Sequence, residues 1–365
     1  MSELRKVLFC FRRPKPGGYI GGVVTLCNDY INKSEKFYIN NVDVACFNYE
    51  IPVDSFWNKI RNSKISNLVY GYKQIKALQK YLKKEPCSTI HIHTSRKALF
   101  FKDVILAKNI RKRCKGKILM TIHVGDISTV FSNKTTRNYL IHEMNRSIDK
   151  VLFLSARMRQ QFIDAGLDEE KAVVLYNFYN IKPCSIEEKT INVVPHLLYL
   201  GSINREKGII ELLEAAKNIK TDFHLDICGT IIESSIQTDF ERLIAELGDR
   251  VTYHGYIGKD KKEELLRQTD ILVLPSYREG LPISILEAMA TSCAIITTPV
   301  GAIPEILTDR NATIIPSKNT EALTIAITDL LNNQKKTEMM KTTNYLTSRS
   351  FTDKSHIDKL CSLYR

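Results

Sequence analysis

The chain has 365 residues, 44% hydrophobic and 25% charged, which is ordinary for a folded protein and enough for two domains. No apolar run is long enough to span a bilayer, and the first residues (MSELRKVLFCFRRPKP) do not read as a signal peptide. The net charge of +13 is lopsided: residues 1–190 carry 33 Lys+Arg against 17 Asp+Glu, and residues 191–365 carry 20 against 23.

The basic first half implies an anionic partner, and nucleic acid is the weaker choice because no aromatic-studded basic strand or recognition helix accompanies the charge. An acidic membrane surface or a phosphorylated substrate fits better. Nine cysteines are scattered, odd in number and never in a C-x-x-C pair, so a reducing cytoplasm is expected and a zinc site is not.

The first strand-like run is RKVLFCF (5–11). It leads into the glycine-rich PGGYIGGVVTL (16–26), where Gly21 and Gly22 would let backbone approach a ligand. This stretch lacks the G-x-G-x-x-G spacing of a dinucleotide fingerprint. A helical stretch follows at 71–85, then STIHIHT (88–94). His91 and His93, two apart, share one face of that strand, and His93 lies nearer its carboxyl end.

After the basic run RKRCKGK (111–117) comes KILMTIHV (117–124), with His123 at its end. DKVLFLS (149–155) and KAVVLYN (171–177) complete the first series, with Ser155 as a helix N-cap and Asn177 as a turn former. NIKPCSIEEKT (180–190) is polar and aperiodic, the best linker. The expected domains are therefore 1–183 and 184–350, with 351–365 packing back on the first.

The second half repeats the alternation: HLLYLGS (196–202), FHLDICG (223–229), VTYHGY (251–256), DILVLPS (270–276), AIITTP (294–299) and ATIIP (312–316), with helical stretches between. Repeated βα units imply parallel sheets wound by right-handed crossovers, hence two doubly wound α/β domains with a cleft facing the strands' carboxyl ends. REGLPISILEAMA (278–290) sets Glu279 in the loop after a buried strand and Glu287 in the helix that follows, eight positions on. In open α/β sheets that crevice takes ligands, and a helix amino end suits a phosphate while carboxylates accept from sugar hydroxyls.

YLGSINREKGIIELLEAA (199–216), HLDICG (224–229), VTYHGYI (251–257), DILVLPS-x-x-EGLPISILEAMA (270–290) and TTPVGAIPEIL (297–307) form an ordered series. That series resembles the retaining glycosyltransferases of family 4, which have the GT-B fold. The resemblance implies that Lys207 neutralises a donor diphosphate, Glu287 holds ribose hydroxyls and Glu279 the donor sugar. Gly280 and Leu281 would offer backbone N–H groups, Gly21 and Gly22 would face the phosphates and acceptor, and His123 would stand beside the transferred sugar. Glu305 matches a further acidic position.

The family usually has an arginine shortly after the glycine of this segment, and here Ser202 directly follows that glycine, so either Arg205 reaches the diphosphate instead or the donor is held with one cation fewer. Ser292, Ala294 and Ala312 replace residues that are usually glycine or proline and bear on packing. No D-x-D occurs, so no cofactor and no metal are expected, and UDP-linked donors come ahead of GDP-linked ones. The implied activity is retaining transfer of a sugar to a hydroxyl of a glycan, lipid-linked in surface-polysaccharide synthesis (O-antigen or capsule type). The enzyme would be cytoplasmic and peripheral to the membrane. The competing readings are a nucleotide-sugar epimerase of similar fold and a non-catalytic carbohydrate-binding module.

Overall fold

A computed structural model of the chain describes residues 4–11, 22–48, 64–95, 97–131 and 133–365. They form two compact units, Met1–Tyr176 with His356–Arg365, and Asn177–Ser355. The division falls before the polar linker read at 180–190, because Tyr179, Ile181 and Cys184 are buried and the Cys184 N–H donates to Ala290 O (2.9 Å) within the second unit.

The first unit holds a six-stranded sheet of β1 (Arg5–Phe11), β2 (Val42–Asn48), β3 (Thr89–Thr94), β4 (Lys117–Ile122), β5 (Lys150–Phe153) and β6 (Ala172–Val174). Every pairing is parallel, in the order β2-β1-β3-β4-β5-β6. The central strand β3 is buried along its whole length, as a strand covered on both faces must be. Helix Asp353–Tyr364 belongs largely to this unit: Tyr364 OH lies 2.7 Å from His91 Nδ1, and His356 Nε2 lies 2.7 Å from Tyr30 OH. Strand β2, which the sequence did not suggest, is a half-exposed edge.

The second unit holds β7 (His196–Leu200), β8 (His224–Cys228), β9 (Val251–Gly255), β10 (Ile271–Leu274), β11 (Ala294–Thr297) and β12 (Thr313–Ile314). These too are all parallel, in the order β12-β11-β10-β7-β8-β9. This is a doubly wound order whose winding reverses between β7 and β10, and ligands of such sheets bind beyond the carboxyl ends of the strands at that reversal. In the first unit the reversal lies between β1 and β3.

None of the nine cysteines, all of them among the described residues, is in a disulfide, and most are buried as small hydrophobes. Among the described residues no helix is long and apolar enough to cross a membrane.

Candidate functional site

In the second unit the loops after β7 and β10 meet. Beyond β7 the chain runs through Gly201 and Ser202 into a single tight turn, Arg205–Lys207, then Gly208 and helix Ile209–Asn218. Gly208 takes φ +68°, and a Cβ there would stand 2.2 Å from Pro275 O, so only glycine lets this turn press against the end of β10. Tyr277 N–H donates to Glu206 O (2.8 Å), and Tyr277 OH donates to Glu211, tying the two loops again. Burial and the Glu211 carboxylate push the Tyr277 hydroxyl well above its usual range, so it stays a donor.

The outcome is a salt bridge: Lys207 Nζ lies 2.5 Å from Glu279 Oε1, with the carboxylate nearly buried and the lysine side chain a quarter exposed. The loop carrying Glu279 is held from behind. Ala302 N–H donates to Gly280 O (2.8 Å), and Gly301 (φ +60°) has no room for a Cβ, which would stand 2.2 Å from that same oxygen. Leu281 O accepts from the Asn177 side chain (2.8 Å), while the amides of Gly280 and Leu281 have no partner among the described residues. Pro282 is the N-cap of helix Ile283–Ala290, one position earlier than the first-turn place its fixed φ suggests, and no side chain caps that helix. Several N–H groups without a partner among the described residues therefore lie in the loop and helix start that follow Glu279, the residue holding the ammonium, and such a stretch suits an anion.

Glu287 sits within that helix and is 3% exposed. Its carboxylate is bonded to Lys262 of helix Lys259–Gln268, a cation the sequence reading did not single out. Ser202 is half-buried, its hydroxyl accepting from Asn204 (3.0 Å). Arg205 is exposed, and its backbone N–H donates to Glu233 (2.9 Å). Glu305 is exposed in the short helix Ile303–Ile306. Asn177 is no mere turn former: it is 6% exposed and its amide braces Leu281. Ser292 adopts φ +51°, the left-handed region that a glycine would occupy freely, and its hydroxyl donates to Cys184 O (2.7 Å).

In the first unit His123 follows β4, its N–H bonded to Thr94 O (2.9 Å) and its Nε2 lying 2.9 Å from His93 Nδ1. Burial, with His356 nearby, takes the His123 pKa down to about 3, so its ring is neutral at physiological pH. His91 is fully buried between Tyr364 and Thr121 and is structural. Gly22 opens the exposed end of helix Gly22–Asn32, and Gly21 lies outside the described residues. Ser155 is an N-cap as expected, accepting from Met158 N–H (3.0 Å). Among the described residues no three His, Cys, Asp or Glu side chains are placed to hold a metal ion.

Residues 187–347 match the family described as Glycosyl transferases group 1. The chain is 26% identical over 282 residues to an uncharacterised glycosyltransferase of Methanocaldococcus jannaschii, covering 76% of this chain and 73% of that one. It is 24% identical over 247 residues to an uncharacterised protein from the cps region of Klebsiella pneumoniae, covering 63% of this chain and 65% of that one. The fold superposes on Anabaena HepE in complex with UDP and glucose with a TM-score of 0.72, at 16% identity and 98% coverage of both chains.

Proposed function

We propose that this glycosyltransferase, whose residues 187–347 match the group 1 glycosyl transferases, moves a sugar, with retention, from a nucleotide sugar to a hydroxyl of a glycan acceptor. The observation that carries the reading is the Lys207–Glu279 contact at the winding reversal of the second sheet. A cation and several unpaired amides there suit a diphosphate, and the carboxylate beside them suits sugar hydroxyls.

Lys207 and the amino end of helix Ile283–Ala290 stabilise the charge that builds on the departing diphosphate. The acceptor hydroxyl attacks on the face the leaving group vacates, and the leaving phosphate takes its proton. Nothing in that scheme requires a metal. His123 offers a neutral hydrogen-bonding edge to the transferred sugar, and Glu287 holds the ribose. The donor is UDP-linked, in keeping with the uridine nucleotide held by the HepE structure.

The acceptor is a lipid-linked glycan of surface-polysaccharide synthesis, taken by the first unit. The relative from a cps region supports that assignment, and the positive surplus of residues 1–190 supports docking on an anionic membrane face. The test is a thermal-shift panel of nucleoside diphosphates and nucleotide sugars. A ligand at about a hundred times its Kd adds about 2.7 kcal/mol to the folded state. UDP and a UDP-sugar are expected to raise the melting temperature, and failure of the whole panel refutes the donor site.

A further inference from the structure

The first unit buries an aromatic and imidazole cluster beneath His123. It comprises His91 and His93 of β3, His356 and Tyr364 of the returning helix, and Tyr30 of helix Gly22–Asn32, with Phe9 packed on the rings. Two of these histidines have both ring nitrogens engaged. His356 places Nδ1 2.7 Å from Tyr176 O and Nε2 2.7 Å from Tyr30 OH, and a carbonyl only accepts, so its Nδ1 carries the hydrogen. His91 lies between the hydroxyls of Tyr364 and Thr121.

His93 differs. Its Nδ1 meets His123 Nε2, and its own Nε2 is fully buried with no partner among the described residues. His123 Nδ1 also lacks a partner among the described residues, but that ring is only part-buried. Burial, reinforced by neighbouring histidines, holds both rings uncharged: His123 titrates at about 3, and His93 well below the usual histidine range. Two neutral rings facing each other have one hydrogen between them.

If His123 gives that hydrogen, His93 is left with a buried Nε2–H and no acceptor. If His93 gives it, the buried atom is a bare lone pair and His123 keeps its own hydrogen on Nδ1. A buried N–H without an acceptor is the rarer defect in folded proteins. We propose that His93 is a positioning residue: it donates Nδ1–H to His123 Nε2, and so fixes His123 with its hydrogen on Nδ1, a neutral donor to a sugar hydroxyl. Only the last clause rests on the reading that His123 meets the donor.

The arrangement has a consistent origin. His91 and His93 lie two apart on β3, so their rings share one face at 4.4 Å between centroids. Register pairs His93 with Thr121, which sets His123 two residues beyond, within reach of the His93 ring. The group lies by the winding reversal of the first sheet, between β1 and β3, where a doubly wound sheet presents its ligand-facing residues.

The test is long-range proton–nitrogen spectroscopy of the full chain with 15N-labelled histidine at neutral pH. His123 is expected almost wholly as the Nδ1–H tautomer, against the Nε2–H form that free histidine favours. His93→Asn, whose amide nitrogen stands close to the replaced Nδ1, should keep it so. His93→Phe preserves ring volume without a donor and should move most of the His123 population to Nε2–H.

The His356 signal, Nδ1-protonated throughout, reports an intact fold; should His93→Phe not fold, the unaltered protein and His93→Asn still decide. Nε2–H on His123 in the unaltered protein, or Nδ1–H persisting in folded His93→Phe, overturns the proposal. Adding UDP-glucose separates the two readings: His123 signals indifferent to a bound donor would sink the donor role of His123 while leaving the tautomer result standing.

Discussion

Replacing Gly301 with alanine should move the Glu279 loop without touching any polar side chain of the candidate site. The added Cβ would stand 2.2 Å from Gly280 O and 2.4 Å from Glu279 O. Carbon and oxygen approach comfortably only at about 3.3 Å, so the loop must retreat by about 1 Å. That retreat breaks the 2.8 Å bond from Ala302 N–H to Gly280 O. The lost hydrogen bond costs about 1 kcal/mol, and a side chain at φ +60° about 1–2 more.

Gly255 is a matched control, since it has φ +65° and nothing within 4 Å of its would-be Cβ. Gly301→Ala should therefore fall about 1 kcal/mol below Gly255→Ala in urea denaturation. It should also bind UDP-glucose about 10- to 100-fold more weakly by calorimetry, given what a 1 Å misplacement costs. Equal stability and equal affinity in the two variants would refute the claim that Gly301 sets the loop.

Lys207→Met removes the ammonium beside Glu279, and UDP affinity should drop about 10- to 100-fold, the worth of one charge-assisted bond; unchanged affinity in a thermal-shift titration counts against the phosphate role. Ser292→Ala keeps the φ +51° strain and orphans Cys184 O, so it should cost about 1–3 kcal/mol in urea denaturation. Ser292→Gly relieves the strain while losing the same bond, and should land within about 1 kcal/mol of the unaltered protein. For pH, burial depresses the His91 pKa from 6.5 to about 3, so the unfolded chain binds more protons between those values. Stability is then fully present above pH 6.5 and falls as the pH drops through that window, by about 1.4 kcal/mol per unit for each such histidine. Melting temperatures that stay flat from about pH 6.5 to 4.5, above the carboxylate range, would contradict this.

The strands at the heart of each sheet were legible either as an unbroken apolar run, which a parallel strand covered on both faces leaves, as ILVL of β10 does, or as a short run rich in β-branched residues, as TIHIHT of β3 is. Strand β2 was not. Its VDVACFN is a half-exposed edge, and such a strand need not be continuously apolar. Strand order was also out of reach, since period and length say nothing of which strand lies beside which. Glu279 could be singled out from its place between a buried strand and a helix start, and Lys207 from the ordered motifs that carry the family resemblance. Lys262 could not, because it lies in KDKKEELL among other lysines with nothing local to mark it. Its partner Glu287 is 25 positions away. Asn177 reads as a turn residue from its neighbours, and only the fold carries its amide to Leu281.

Both acidic groups assigned to sugars already hold a lysine: Glu279 holds Lys207, and Glu287 holds Lys262. A nearly buried carboxylate left alone would be costly, so each pair is a sound resting state. With a donor bound as proposed, it is also an exchange mechanism. On the proposed reading, a diphosphate competes with Glu279 for the Lys207 ammonium and offers it more acceptor oxygens. Glu279 then has lone pairs to satisfy, and in so enclosed a place the hydroxyls of the donor sugar are what can satisfy them. A nucleoside diphosphate without its sugar would take the lysine and strand the carboxylate. On that reading phosphate and sugar are recognised as one ligand, because the residue that releases the cation is the one that needs the sugar.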